Sequence, residues 1–99
     1  MSEVALLARI EARPEYADAV ATMLRDALEL ARQESGTVTW FAFRESDTTF
    51  GIFDTFADDR GRDAHLRGRI AEALMSVAAT HLASPPDIRK VDVLASKLP

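Results

Sequence analysis

The sequence predicts an α+β domain of order β-α-β-β-α-β, in which one four-stranded antiparallel sheet carries its helices on a single face. Three observations lead there. Short apolar or β-branched runs stand at Val4–Ala12, Thr37–Arg44, in TTFGIFDTF ending at Phe56, and in IRKVDVLA from Ile88. The two stretches between the outer and inner runs repeat apolar residues at helical steps. The two inner runs are separated only by the polar, turn-like ESDT, which makes residues 37–56 a hairpin.

Each element has its own local signal. Val4–Ala12 (VALLARIEA) admits charge only late and reads as a central strand. Pro14 suits the first position of a helix, where its missing N–H costs nothing, and Glu15 and Asp18 favour the positive end of the helix dipole. Tyr16, Val20, Met23 or Leu24, Ala27 and Ala31 then form one stripe, so a helix is expected over about residues 14–34, closed by Gly36 in a left-handed cap. Asp58 or Asp59 caps a short helix reaching about Arg67, and Gly68 interrupts it. Ile70, Leu74, Val77 or Ala78, and Leu82 mark a second stretch that SPP, residues 84–86, stops. With its second helix broken in two, this is the ferredoxin-like arrangement.

The 99 residues suffice for one domain, 1–99. A domain of this size buries only roughly 60–65% of the surface its unfolded chain exposes, so its core is thin. Two helices cover one sheet face, and the other face would alternate to polar if it met water. It does not. Trp40 and Ala42 lie opposite Phe41 and Phe43 on their strand, and on the first strand Val4, Leu6, Ala8 and Ile10 lie opposite Ala5 and Leu7. A second copy of the chain is the simplest cover, which makes a symmetric homodimer the expected assembly.

The bulk numbers narrow the function. Net charge is −4, from 12 basic and 16 acidic residues, with no basic stripe, so nucleic acid is not expected as a partner. The absence of cysteine removes disulfides, thiol nucleophiles and thiolate-bound metal centres, and two histidines give little basis for a metal site. No apolar run approaches 18 residues and the first residues do not read as a leader, so neither a membrane partner nor export is expected and a cytoplasmic location is the default.

The candidate site gathers in FGIFDTFADDRGRDAHL, residues 50–66. By alternation Asp54 shares a face with Phe50, Ile52 and Phe56, where a carboxylate is desolvated and calls for a partner: His65, Arg9, Arg44 or a backbone N–H. Either Asp54 orients His65, or it closes a structural ion pair at the sheet end. His65 is either a proton acceptor near neutral pH or a hydrogen-bonding prop between the short helix and the hairpin. Trp40, Phe41, Phe43 and Phe56 offer flat walls to a planar ligand or pack as core. His81, at a helix C-terminus, reads as structural. Met23 and Met75 read as core filler. The Arg60–Arg69 cluster, mixed with Asp58, Asp59 and Asp63, reads as a solvated face, with Arg67 or Arg69 available to an anionic substrate.

Taken in order, ARIEARPEYADAV, ESGTVTWFAF, FGIFDTFADDRGRDAHL and PPDIRKVDVL resemble the antibiotic biosynthesis monooxygenase (ABM) domain family of the dimeric α+β barrel superfamily. Its pattern of an aromatic–acid–x–aromatic strand end, an acidic helix cap and Ala-His-Leu is met by Asp54, Phe56, Asp58, Ala64, His65 and Leu66. The resemblance implies a homodimer with a ligand cavity between sheet and helices in each subunit. It also implies a monooxygenase, free of cofactor, acting on a small planar, quinone- or polyphenol-like compound, with His65 and Asp54 as catalytic residues and Trp40, Phe41, Phe43 and Phe56 lining the substrate. A non-catalytic barrel that binds a small ligand or partner is the alternative. The family's haem degraders carry Asn, Trp and His where this chain has Ala8, His65 and Met75, so haem degradation is not expected.

Overall fold

A computed structural model describes residues 4–99. The order is β1 (Val4–Glu11), a 3-10 turn at Pro14–Tyr16, α1 (Ala17–Arg32), β2 (Thr37–Arg44), β3 (Thr49–Phe56), α2 (Asp59–Leu66), α3 (Arg69–His81) and β4 (Asp87–Asp92). The four strands form one antiparallel sheet in the order β2-β3-β1-β4, the arrangement the element order predicts. Among the described residues no helix is long and apolar enough to cross a membrane.

Every element expected from the sequence is present, with shifts at the ends. Pro14 starts a 3-10 turn whose last residue, Tyr16, becomes the N-cap of α1. Val20, Ala21, Leu24, Ala27 and Ala31 line the buried stripe of α1, while Tyr16 remains 36% exposed at its edge. Asp58 caps α2, its Oδ1 accepting from the Gly61 amide at 3.0 Å. Such a cap is worth about 1 kcal/mol. Gly68 takes the N-cap position of α3, so the break falls where the glycine stands. The last strand stops at Asp92, short of the Ala95 expected from the apolar pattern.

Two expectations are corrected. Gly36 is not a left-handed cap: no described residue has a positive φ. Its glycine is required by proximity instead, because a Cβ there would lie 2.8 Å from the Gly61 Cα. Met75 is not core filler but 58% exposed. One step past Leu74 on a helix turns the side chain by about 100°, off the stripe of Ile70 and Leu74.

The core lies between the sheet and α1 and α3. Ala8, Ile10, Phe50 and Ile52 supply the sheet side, and Val20, Leu24, Ala27, Ile70, Leu74 and Leu82 the helix side. In the register Leu6 stands opposite Asp54, and Asp54 opposite Trp40, so these three share the helix-covered face. Leu7, Phe53 and Phe41 form the next row, on the open face. Phe41 is 52% exposed there, and Phe43 lies over Gly51, where an added Cβ would run into the Phe43 ring. In β2 the pairing slips between Thr37 and Thr39, leaving Val38 as a bulge.

Candidate functional site

Three segments meet at His65. β3 brings Asp54, the turn after α1 brings Glu34, and α2 brings the imidazole itself. Period-2 alternation turns Asp54 inward with Phe50, Ile52 and Phe56, and it is 1% exposed. Asp58 caps the start of α2, and His65, next to its end, is buried as well. Its ring leans on Phe56, centroids 5.1 Å apart.

Both ring nitrogens are engaged. Nδ1 stands 2.6 Å from Oε1 of Glu34, and Nε2 stands 2.9 Å from Oδ2 of Asp54. The first is a well-formed hydrogen bond. The second is a close charge contact whose N–H direction misses the oxygen, which leaves the buried Oδ2 without an aligned donor. A carboxylate only accepts, so a ring that satisfies both neighbours carries both protons. Burial pulls the His65 pKa down, but the pull of Asp54 and then Glu34 outweighs it and holds the pKa above the ordinary histidine value. Both carboxylates thus bias the ring toward its protonated form.

Glu34 was not among the sequence candidates. Its Oε1 also accepts from Thr37 Oγ1 at 2.7 Å, and its Oε2 rests against Gly68, where an added Cβ would sit 3.1 Å away. The carboxylate thus lies at the start of α3, on the favourable side of that helix dipole. The other partners considered for Asp54 are elsewhere. Arg9 pairs with Glu45 at 3.0 Å, and Arg44 lies over the Phe50 ring at 4.9 Å. The carboxylates approach opposite nitrogens of one ring, so the donors diverge; among the described residues no group of three or more acids and histidines is arranged for a metal ion.

Cavities flank this cluster. A groove of about 390 Å³ opens between α1 and α3, with Met23, Ala27, Leu30, Ala73 and Leu74 as walls, Ile52 as floor, and Asp26 and Thr22 at its rim. A second, polar hollow of about 370 Å³ is lined by Gln33, Glu34, Thr37, Ala64, His65 and Arg69. A small internal space of about 30 Å³ holds Asp54 and His65 on its wall and shares Ile52, Ile70 and Leu74 with the apolar groove. It is large enough for a water molecule.

The predicted wall residues separate. Phe56 is fully buried beneath His65. Trp40 is half-buried on the same sheet face, with its Nε1 unpartnered. Phe41 and Phe43 lie on the open face, across the sheet from His65. Arg69 reaches the polar hollow and Arg67 is not among its lining. His81 packs its ring 4.2 Å from Tyr16 and meets Thr80 Oγ1 at 2.6 Å.

Comparison with known proteins agrees with this architecture. The chain is 56% identical to the NE2512 protein of Nitrosomonas europaea, a protein of unknown function, covering 100% of this chain and 96% of that one with a TM-score of 0.95. It is 22% identical to PA3566 of Pseudomonas aeruginosa, covering 96% and 97% with a TM-score of 0.81. A solved antibiotic biosynthesis monooxygenase is 19% identical, covering 93% and 99%, with a TM-score of 0.80. No family model matches the sequence, and no curated protein does.

Proposed function

We propose, for a chain that belongs to one family with the NE2512 protein of Nitrosomonas europaea and has the fold of the antibiotic biosynthesis monooxygenases, a cofactor-independent monooxygenase activity on a small planar, quinone- or polyphenol-like compound. The observation that carries this reading is the buried contact between Asp54 and His65 beside an apolar groove of about 390 Å³. That volume suits a compact ligand. Its walls are almost wholly hydrocarbon, which suits a flat, weakly polar body. The small space against Asp54 and His65 shares three of those walls, so an oxygen at one end of such a ligand would face the charged pair. Removing a proton from an electron-rich phenol leaves an anion able to pass an electron to O₂, a step that needs a poised proton-handling group and a dry wall.

A homodimer belongs to the same reading. Phe41, Phe43 and Phe53 leave an apolar open face that a second copy covers by symmetry, and each subunit keeps its own groove. In this arrangement Phe41 and Phe43 are interface rather than substrate wall, and Trp40 and Phe56 remain on the site's side.

The test is oxygen uptake with hydroquinone-type substrates in the unaltered protein, His65→Ala and Asp54→Asn. Consumption by the unaltered protein and its loss in both variants is the expected result. Turnover unchanged in His65→Ala would remove the histidine from the chemistry. A second reading, ligand binding without turnover, draws on the groove itself, whose only titratable wall is Asp26 at the rim. Binding of a quinone with no oxygen uptake would select it.

A further inference from the structure

We propose that Glu34 is a positioning residue that keeps both ring nitrogens of His65 protonated, so that Asp54, and not the histidine, is the proton acceptor of the site. This deepens the function proposed above and rests on it for the substrate.

The geometry assigns the roles. Nδ1 of His65 is bound to Glu34 at 2.6 Å, and Glu34 is itself fixed by Thr37 and by its seat against Gly68. Nε2 is turned to Asp54 at 2.9 Å. The charged groups that meet the ring are thus Asp54 from β3 and Glu34 from the turn after α1; Arg69, at the start of α3, lines the outer hollow with it. No ring nitrogen is left to take a proton. Asp54 Oδ2 is different: it is fully buried, has no aligned donor, and belongs to a residue that lines the small cavity sharing Ile52, Ile70 and Leu74 with the apolar groove. It is the acceptor with capacity to spare.

The step balances simply. The O–H bond of a phenolic substrate breaks and an O–H bond forms on Asp54. One negative charge moves from the carboxylate to the substrate oxygen, beside the imidazolium, which stabilises the new anion. Glu34 takes no proton and touches no substrate. It acts by holding the positive ring in place, since a neutral His65 would offer the new anion only a dipole.

Two readouts test this, and the first needs no substrate. Ring ¹⁵N spectra of the unaltered protein at neutral pH should show both His65 nitrogens protonated, with His81 as the internal comparison. In Glu34→Gln the His65 midpoint should fall by about one pH unit or more, the shift expected on losing one close opposite charge. A single protonated nitrogen in the unaltered protein, or a midpoint unmoved by Glu34→Gln, overturns the assignment of Glu34. The second readout is the pH profile of oxygen uptake. Asp54→Asn should abolish turnover at every pH, and Glu34→Gln should lower kcat while leaving KM near its original value. Turnover retained by Asp54→Asn overturns Asp54 as acceptor. An unaltered protein that takes up no oxygen, but whose ring spectra behave as expected, refutes the oxygenase reading and the acceptor role while leaving the Glu34–His65 pairing established.

Discussion

Gly36 and Gly61 touch backbone to backbone: a Cβ on Gly61 would come within 2.8 Å of the Gly36 carbonyl oxygen. This contact lets α2 lie against the turn that carries Glu34, and it brings two of the three segments of the His65 cluster together. Gly61 is inside a helix, where alanine is ordinarily favoured by about 1 kcal/mol. Here the clash is with main chain, which cannot rotate aside. Gly61→Ala is expected to destabilise the protein by roughly 1–3 kcal/mol, the range for overpacking a tight contact. Urea midpoints of the two proteins measure it, and a stabilised variant would contradict the geometry.

The His65 cluster makes stability depend on pH. Its folded pKa lies above the ordinary value near 6.5, so folding favours the protonated ring. The stabilisation is fully present below about pH 6.5, the unfolded value, and is lost as pH rises through the folded pKa. Deprotonation also leaves two carboxylates facing one neutral ring. Urea midpoints in the unaltered protein should fall across that window, and the fall should be smaller in Glu34→Gln. A midpoint that rises over the same range would reverse the sign.

Ala73 is a half-buried wall of the apolar groove. Ala73→Phe fills much of the space without opening the core, since Ile70 and Leu74 carry the packing of α3. Stability should change by less than about 1.5 kcal/mol. Binding of a quinone, followed by quenching of Trp40 fluorescence or by calorimetry, should weaken at least about tenfold, equivalent to about 1.4 kcal/mol. Unchanged affinity would place the ligand elsewhere.

Phe41 stands in a row with Phe53 and Leu7 on the open face. Phe41→Glu puts a charge at the centre of the proposed subunit contact, where desolvating it without a partner costs several kcal/mol. Sedimentation at micromolar concentration should show a dimer for the unaltered protein and a monomer for the variant. An unaltered chain that sediments as a monomer would remove the assembly altogether.

Much of this was legible in the sequence. Strand alternation placed Asp54 inward with Phe50, Ile52 and Phe56, and the acidic cap at Asp58 or Asp59 located α2 and hence His65. Glu34 escaped notice because the helical pattern runs it in with the end of the first helix, whereas it lies in the turn after α1, 31 residues from the ring it meets. Nothing local marks a residue whose partner arrives only through the packing of α2. The same holds for Gly36, whose φ is ordinary and whose need for glycine comes from a neighbour 25 positions away at Gly61. The surroundings of His65 followed the same course: one carboxylate beside it was foreseen, and the second was not.

Val38 has a consequence out of proportion to its size. It is the one supernumerary residue of β2, and it sets the parity of everything after it. Were Val38 paired in an unbroken ladder from Thr37, Trp40 would sit across from Phe53, and Phe41 and Phe43 would point at the helices. The bulge absorbs that extra step, so excising the valine would leave a regular ladder with the indole and the two phenyl rings on the faces they occupy now. A single looped-out residue thus decides which side chains of this strand meet the helices and which lie on the bare side of the sheet.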